Sequence, residues 1–388
     1  MKKIIALFST TRAEFGAFVP IIEEIKSEEE LSYKLFLGGL HLKSDYTSDL
    51  NYVQAYEITD YFDFLLNQDD RETLVKSLSV ELFELSHIFK MHDFDWIMVS
   101  GDRIELLPII TTAIIFGKPI IHLHGGEITE GAIDEQVRHM VTKSAHLHFT
   151  TCKEYRNNIK NMGEEMWRIH NVGALTIDNT VKRPLISLKD LCGDLSLNPE
   201  KSIILCTYHP VTLEFKISPE TQIENVFNAL ETYNGQIVFT APNIDPDYEL
   251  ILKIIKERTR SNPNIIYIPN LGVQRYLSLI PNCDFVIGNS SSGISEVPFF
   301  KVPTVNIGDR QKGRIRHRSI IDTDYSTESI VQGINTALSI EFKESLINME
   351  YKFGDGHAAQ RIIEIIKSLT INEKLLRKKL DISEVKND

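Results

Sequence analysis

The chain has 388 residues, of which 42% are hydrophobic and 25% charged, with a formal net charge of −12 at pH 7. That length holds two α/β domains, each large enough to bury its own core. The acidic balance excludes general affinity for nucleic acid or anionic membranes, so an anionic ligand must find its positive potential in a few Arg, Lys or helix N-termini.

The opening MKKIIALF imitates a secretory signal, but its apolar run stops at Ser9 and charges follow. It reads as a buried β-strand, KIIALFS (3–9). Further strand candidates are YKLFLGG (33–39), DWIMVSG (95–101), PIIHLHG (119–125) and HLHFTT (146–151). Helical patterns separate them: FVPIIEEIK (18–26), TLVKSLSVELFELSHIFK (73–90) and LLPIITTAIIFG (106–117). Strands apolar on both faces, each followed by a helix, predict a parallel sheet of βαβ units. After a hydrophilic stretch at 176–201 the pattern resumes with SIILCTY (202–208), QIVFTAP (236–242), NIIYIPN (264–270), DFVIGNS (284–290) and PTVNIG (303–308), with a helix YELILKIIKERT at 248–259. A last helix, HAAQRIIEIIKSL (357–369), leads into a charged tail. The expected fold is α/β: two Rossmann-like doubly wound domains around a cleft, at 1–180 and 181–370, with a solvated tail at 371–388. No segment is long and apolar enough to span a membrane. The scattered Cys152, Cys192, Cys206 and Cys283 fit a reducing cytoplasm and offer no thiolate metal spacing.

Polar clusters recur just after the strands, where doubly wound sheets bind ligands. STTRAEFG (9–16) puts Arg12 at the mouth of the first strand, as a surface arginine or as an anion contact with helix N–H groups. LGGLHLKSDY (37–46) carries His41 beyond a Gly-Gly turn. In VSGDRIELL (99–107), Asp102 is a helix cap or a member of a carboxylate set. HLHGGEITEGAIDEQVRH (122–139) is the densest. Alternation puts His122 and His124 on one strand face, glycines turn the chain, and Glu127 follows. Asp134–Arg138 and Glu135–His139 are i,i+4 pairs. Partly desolvated carboxylates in such a loop can serve as acid or base near neutral pH. The HLH pairs at 122–124 and 146–148 also suggest zinc, but their spacing matches no zinc motif, and no metal is expected. In LCTYHPVT (205–212), His209 ends a strand as a candidate phosphate contact. In VIGNSSSGISEVPFF (286–300), small residues and hydroxyls before a helix suit a diphosphate, with Glu296 on the first turn for ribose hydroxyls. It is neither GxGxxG nor a P-loop. GDRQKGRIRHR (308–318) is a basic run beside it, a solvated face or the local positive potential an anion needs.

Together TTRAEFG, SGDR, the 122–139 stretch, YHPVT, GNSSSGISEV and GDRQKGR resemble the hydrolysing UDP-N-acetylglucosamine 2-epimerases, in order from residue 9 to 314. The resemblance implies a GT-B-like fold, a UDP-sugar substrate, no cofactor, a homo-oligomer (dimer or tetramer), and a place in sialic-acid-type synthesis. It implies anti elimination of UDP across C1–C2, then hydration of the 2-acetamidoglycal to a free manno-configured sugar. UDP-N,N'-diacetylbacillosamine, for legionaminic acid, is the alternative substrate, and a GT-B glycosyltransferase the alternative reaction class. Carried over by motif, Asp102, Glu127, Asp134, Arg138 and His209 form the catalytic set. Arg12, His41, Asn289, Ser290, Ser291, Ser292, Gly293, Glu296 and Arg314 form the binding set. In non-hydrolysing relatives a glutamate stands where this chain has His124, so the first-step base is left among Asp102, Glu127 and Asp134.

Overall fold

Alternate residues of the first strand enter different cores. Ile5 and Leu7 join one buried cluster, Ala6 and Phe8 another. Trp96 and Met98 against Ile97 and Val99 repeat the division in the fourth strand. A strand buried on both faces lies centrally in a sheet with helices on each side. The computed structural model describes residues 2–42, 53, 55–65, 71–130, 133–211, 214–242 and 247–382. The chain forms two units: Met1–Glu127, Asp134–Lys182 and Phe353–Asp388 make the first, Ile128–Ile133 and Arg183–Lys352 the second.

The first unit contains β1 (Lys3–Ser9), β2 (Leu31–Gly38), β3 (Asp60–Phe62), β4 (Trp96–Ser100), β5 (Ile120–Leu123), β6 (Leu147–Thr150) and β7 (Ile169–Asn171). All are parallel, in the order β3-β2-β1-β4-β5-β6-β7. The second contains β8 (Ile203–Thr207), β9 (Gln236–Phe239), β10 (Ile265–Tyr267), β11 (Val286–Gly288), β12 (Thr304–Ile307) and β13 (Ile320–Thr323). It is also parallel, in the order β10-β9-β8-β11-β12-β13. Both orders reverse direction once, between β1 and β4 and between β8 and β11. At such points the following loops diverge and leave a crevice at the carboxyl ends of the strands. The doubly wound α/β fold expected from the sequence is the fold observed.

The final helix, Ala358–Ser368, departs from the expected boundaries. Its Ala358, Ala359, Ile362, Ile363 and Ile366 join the core of Ile5 and Leu7 in the first unit, not the second. The sequence assigned it by proximity along the chain, whereas its apolar stripe is completed by β1 and the helix Arg12–Lys26. Lys3 Nζ donates to the carbonyls of Lys367 and Leu369 at 2.8 and 2.7 Å, a cation at a helix C-terminus. Asp178 accepts the N–H groups of Ala358 and Ala359 at 2.9 and 2.7 Å, capping that helix from a distant segment. The tail is not simply solvated either. Leu375 is buried, and the buried Arg168 donates to the carbonyls of Lys374, Leu375 and Arg377. Residues 383–388 lie outside the described part.

Replacing Asp178 with Ala leaves two buried helix N–H groups without an acceptor. The variant should lose about 1–3 kcal/mol of stability, read as a lowered denaturant midpoint, and Asp178→Asn should recover part of it.

Candidate active site

At the first switch point the fixed element is Arg138, on the helix Asp134–Ser144 and 1% exposed. Its Nη1 donates to the His124 carbonyl at 2.8 Å and its Nη2 forms an ion pair with Asp102. Burial alone would lower its pKa, but Asp102, Glu127, Glu135 and Asp134 together hold it above the ordinary value. Asp102, which follows the end of β4, thus joins Asp134 among the carboxylates acting on this guanidinium. Glu135 does pair with His139, at 3.1 Å.

His122 and His124 do not share a role. Buried His122 donates from Nε2 to the Gly101 carbonyl at 2.8 Å and accepts from Thr142 Oγ1 at Nδ1, 3.2 Å away. Burial lowers its pKa to about 3, so it is a neutral fastener between β5 and the Asp102 loop. β5 ends at Leu123, and His124 takes φ 64°, so strand alternation stops short of it. Its Nδ1 lies 3.2 Å from Glu127 Oε1, to which Thr151 also donates at 3.5 Å. Gly126, at φ 77°, is required: a Cβ there would sit 2.3 Å from the Tyr155 carbonyl. His148 is likewise buried and neutral, 3.3 Å from Glu164, with a pKa lowered to about 4 by burial. Both ring nitrogens of His122 thus have protein partners, and His148 Nε2 is occupied by Glu164.

Beneath the β1 turn, His41 is buried with Nε2 2.9 Å from Ser9 Oγ. Glu14 Oε2 accepts from Thr10 N at 2.7 Å and Thr11 N at 3.1 Å, closing a capping box. The side chain of Arg12 and residues 43–46 lie outside the described part. Two further buried carboxylates went unrecognised in the sequence. Glu105 pairs with Arg103 at 3.2 Å. Glu81 is fully buried, and among the described residues neither of its oxygens has a hydrogen-bond partner. Its place was readable from spacing, since Thr73, Ser77, Glu81 and Leu85 form one i,i+4 row on the buried face of the helix Arg71–Met91.

At the second switch point Asn289 is fully buried and serves as a clamp. Its Oδ1 accepts His209 N at 2.7 Å and its Nδ2 donates to His209 O at 2.8 Å. Both side-chain groups of Asn289 thus hold the backbone of His209. Gln311 Nε2 and Arg310 Nη1 donate to the Asn289 carbonyl at 2.9 and 3.3 Å. Burial, with the charge of Arg310, lowers the His209 pKa well below its usual value. The imidazole is therefore a neutral hydrogen-bonding group, and Arg310 is the cation beside it that the motif reading did not single out. Gly288 has φ 134°, and a Cβ there would meet the Thr207 carbonyl at 1.9 Å.

The serine loop is shorter-ranged than expected. Ser292–Ser295 is one helical turn, followed by the 3-10 turn Val297–Phe300, so Glu296 closes the turn instead of sitting on the first turn of a long helix. Pro298 prevents continuation. Ser290 Oγ accepts Ser292 N at 3.4 Å, Ser292 pairs with Tyr276, and Glu296 accepts from Ser295. Ser291 precedes the turn and takes Ser295 Oγ on its carbonyl at 3.0 Å. Gly293 lets this turn lie on β12, since a Cβ would be 2.8 Å from Thr304 Cγ2. In the basic run, Arg316 pairs with Asp322 at 2.9 Å and Arg318 donates to the Ser345 carbonyl at 3.4 Å. Arg314 Nη2 donates to Thr129 Oγ1 at 3.3 Å, within the same unit.

Residues 23–367 match the UDP-N-acetylglucosamine 2-epimerase family. The chain belongs to that family. It is similar to the GDP/UDP-N,N'-diacetylbacillosamine 2-epimerase (hydrolyzing) of Campylobacter jejuni, 36% identical over 347 residues, 89% of this chain and 90% of that one. It is also similar to the UDP-N-acetylglucosamine 2-epimerase of Neisseria meningitidis, 30% identical over 371 residues, 95% of this chain and 96% of that one. The solved structure of the Methanocaldococcus jannaschii UDP-GlcNAc 2-epimerase in complex with UDP-GlcNAc and UDP shares the fold, with TM-score 0.78 and 18% identity, covering 95% of this chain and 99% of that one. The GT-B-like fold expected from the sequence agrees with this likeness.

The buried carboxylates give this epimerase a defined pH response. Burial, reinforced by Glu105, raises Glu14 to about 7. Burial, with Glu105 and Glu14, raises Glu81 to about 10. Both groups hold their protons more tightly when folded, so their stabilising contribution is complete below the ordinary value of 4.5 and is lost as pH rises through about 7 and on towards about 10. Thermal scans should show Tm falling from pH 5 to pH 9. Glu81→Gln should flatten that fall and be the more stable form at pH 9, and an unchanged slope would assign the pH response elsewhere.

Proposed function

We propose that the protein is a hydrolysing UDP-sugar 2-epimerase that takes a UDP-linked 2-acetamido sugar. The observation that carries this reading is the ion pair of Asp102 with buried Arg138, beside Glu127 and at the head of the helix bearing Asp134. Removing the weakly acidic C2 proton needs a fixed base, and adding water to the resulting double bond needs an acid and a base. In the first step a carboxylate of this set takes the C2 proton. The C–H electrons form C1=C2, and the C1–O bond breaks to release UDP. In the second step water adds at C1 while a proton returns to C2 from the opposite face, giving the free 2-epimer. His209 and Arg12 contact the diphosphate, with Arg310 and Arg314 neutralising it. Ser290, Ser291, Ser292 and Glu296 hold the uridine, while Asn289 and Gly293 shape that loop. His41 supports the β1 turn through Ser9.

UDP-GlcNAc is the first substrate of this reading. The 36% identity to the diacetylbacillosamine enzyme, against 30% to the Neisseria enzyme, supports UDP-N,N'-diacetylbacillosamine as the second. Incubation of each nucleotide in D2O should give UDP and a C2-epimerised free sugar carrying one deuterium at C2. Release of UDP without deuterium, or turnover of neither nucleotide, overturns the reading. Asp102→Asn should lower kcat by about 10²–10⁴-fold with a smaller change in KM.

Self-association as a dimer or tetramer belongs to the same proposal. It is supported by Val75, Phe83 and Met91 on the helix Arg71–Met91, and by Ile114 and Ile115 on the adjoining helix Leu106–Ile115, all more than half exposed. Phe83→Asp should shift the sedimentation coefficient towards the monomer. Among the described residues no helix is long and apolar enough to cross a membrane. The four buried, unpaired cysteines support a cytoplasmic setting.

A further inference from the structure

His124 holds a backbone conformation that its neighbours could hold at less cost. Among the described residues, non-glycine positive φ occurs at His124, Ser196, Asp247 and Lys301. Ser196 and Lys301 each end a helix, where the left-handed conformation terminates the hydrogen-bond ladder, and Asp247 opens one. His124 ends a strand instead, and two glycines follow it directly. A glycine at 124 would adopt φ 64° freely, whereas an imidazole there is strained. The conformation is enforced from both sides. The His124 N–H donates to the Phe149 carbonyl at 3.1 Å, and its own carbonyl accepts from Arg138 at 2.8 Å. The result is an imidazole Nδ1 at 3.2 Å from Glu127 Oε1, with the His124 side chain 17% and the Glu127 side chain 13% exposed.

We propose that His124 is a positioning residue for Glu127: its strained backbone aims Nδ1–H at Oε1 and fixes the carboxylate for the sugar. This rests on the epimerase reading above. The bond assigns the proton to Nδ1, because a carboxylate can only accept. Thr151 Oγ1 supports the same oxygen from β6's far end, so loss of His124 loosens Glu127 without unfolding the loop.

The test separates backbone from side chain. His124→Gly keeps the left-handed turn and removes the donor. It should melt at or above the wild-type temperature yet lose roughly 10²-fold in kcat, with KM within a few-fold. His124→Asn tolerates the same φ and carries an amide donor, so it should regain about tenfold over the glycine variant. Wild-type kcat in His124→Gly, or no gain from Asn over Gly, overturns the proposal. In a Glu127→Ala background His124→Gly should cost nothing further, and an undiminished second loss would show that His124 acts independently of Glu127. Imidazole ¹⁵N NMR reads the same coupling without turnover: the Nδ1–H form should dominate in the wild type and give way in Glu127→Ala. A tautomer indifferent to that change overturns the proposal even if neither nucleotide is a substrate. Inert nucleotides with a Glu127-dependent tautomer overturn the epimerase reading and leave the positioning intact.

Discussion

A guanidinium sealed from water must be surrounded by acceptors, and Arg138 obtains them from two strands. Its ion pair fixes the loop after β4, and its bond to the His124 carbonyl fixes the turn after β5. Removing Asp102 would strip a buried charge of its ion-pair partner, a larger penalty than loss of a surface pair incurs. The positions of Asp102, His124 and Glu127 are consequently not independent. They are set by one cation on the helix that Asp134 begins, and the carboxylates around it stabilise its charge in return.

The second unit meets the same geometric need with a neutral clamp. There the two strands flanking the switch point are tied by the side-chain amide of Asn289 on the backbone of His209, and by Gly288 pressed against Thr207. The clamp itself carries no charge. Burial keeps His209 uncharged, so the electrostatic attraction for an anion falls to arginines such as Arg310. The two switch points thus differ in kind: the first concentrates carboxylates around one arginine, the second offers amides, hydroxyls and cations.

Much of this was legible because both sheets are parallel. Central strands buried on both faces read as unbroken apolar runs, and β1, β4, β5, β8 and β11 were all visible as such. The strands β3, β7 and β13 were not, being edge strands whose segments DYF, IHN and IIDT are short and half polar. The candidate site residues were named by motif, but the contacts that hold them were not readable from it. Asn289 reads as a ligand contact in a serine-rich loop, and only its buried place on His209 makes it a clamp. His122 and His124 look equivalent until β5 stops between them. The last helix could not be assigned from sequence, because an amphipathic stripe does not say which core it completes.

That helix has a consequence for synthesis. The face of β1 carrying Ile5 and Leu7 is closed by residues 358–366, which emerge after the whole second unit. At ~5–20 residues per second, the ribosome leaves that face without its last helix for roughly ten to thirty-five seconds after Lys182 appears. The second unit is an insertion, with all its own strands complete before the first unit receives its last layer. The nascent chain therefore carries an incompletely covered aliphatic surface while the second unit is made, and a truncation anywhere before residue 358 makes that exposure permanent.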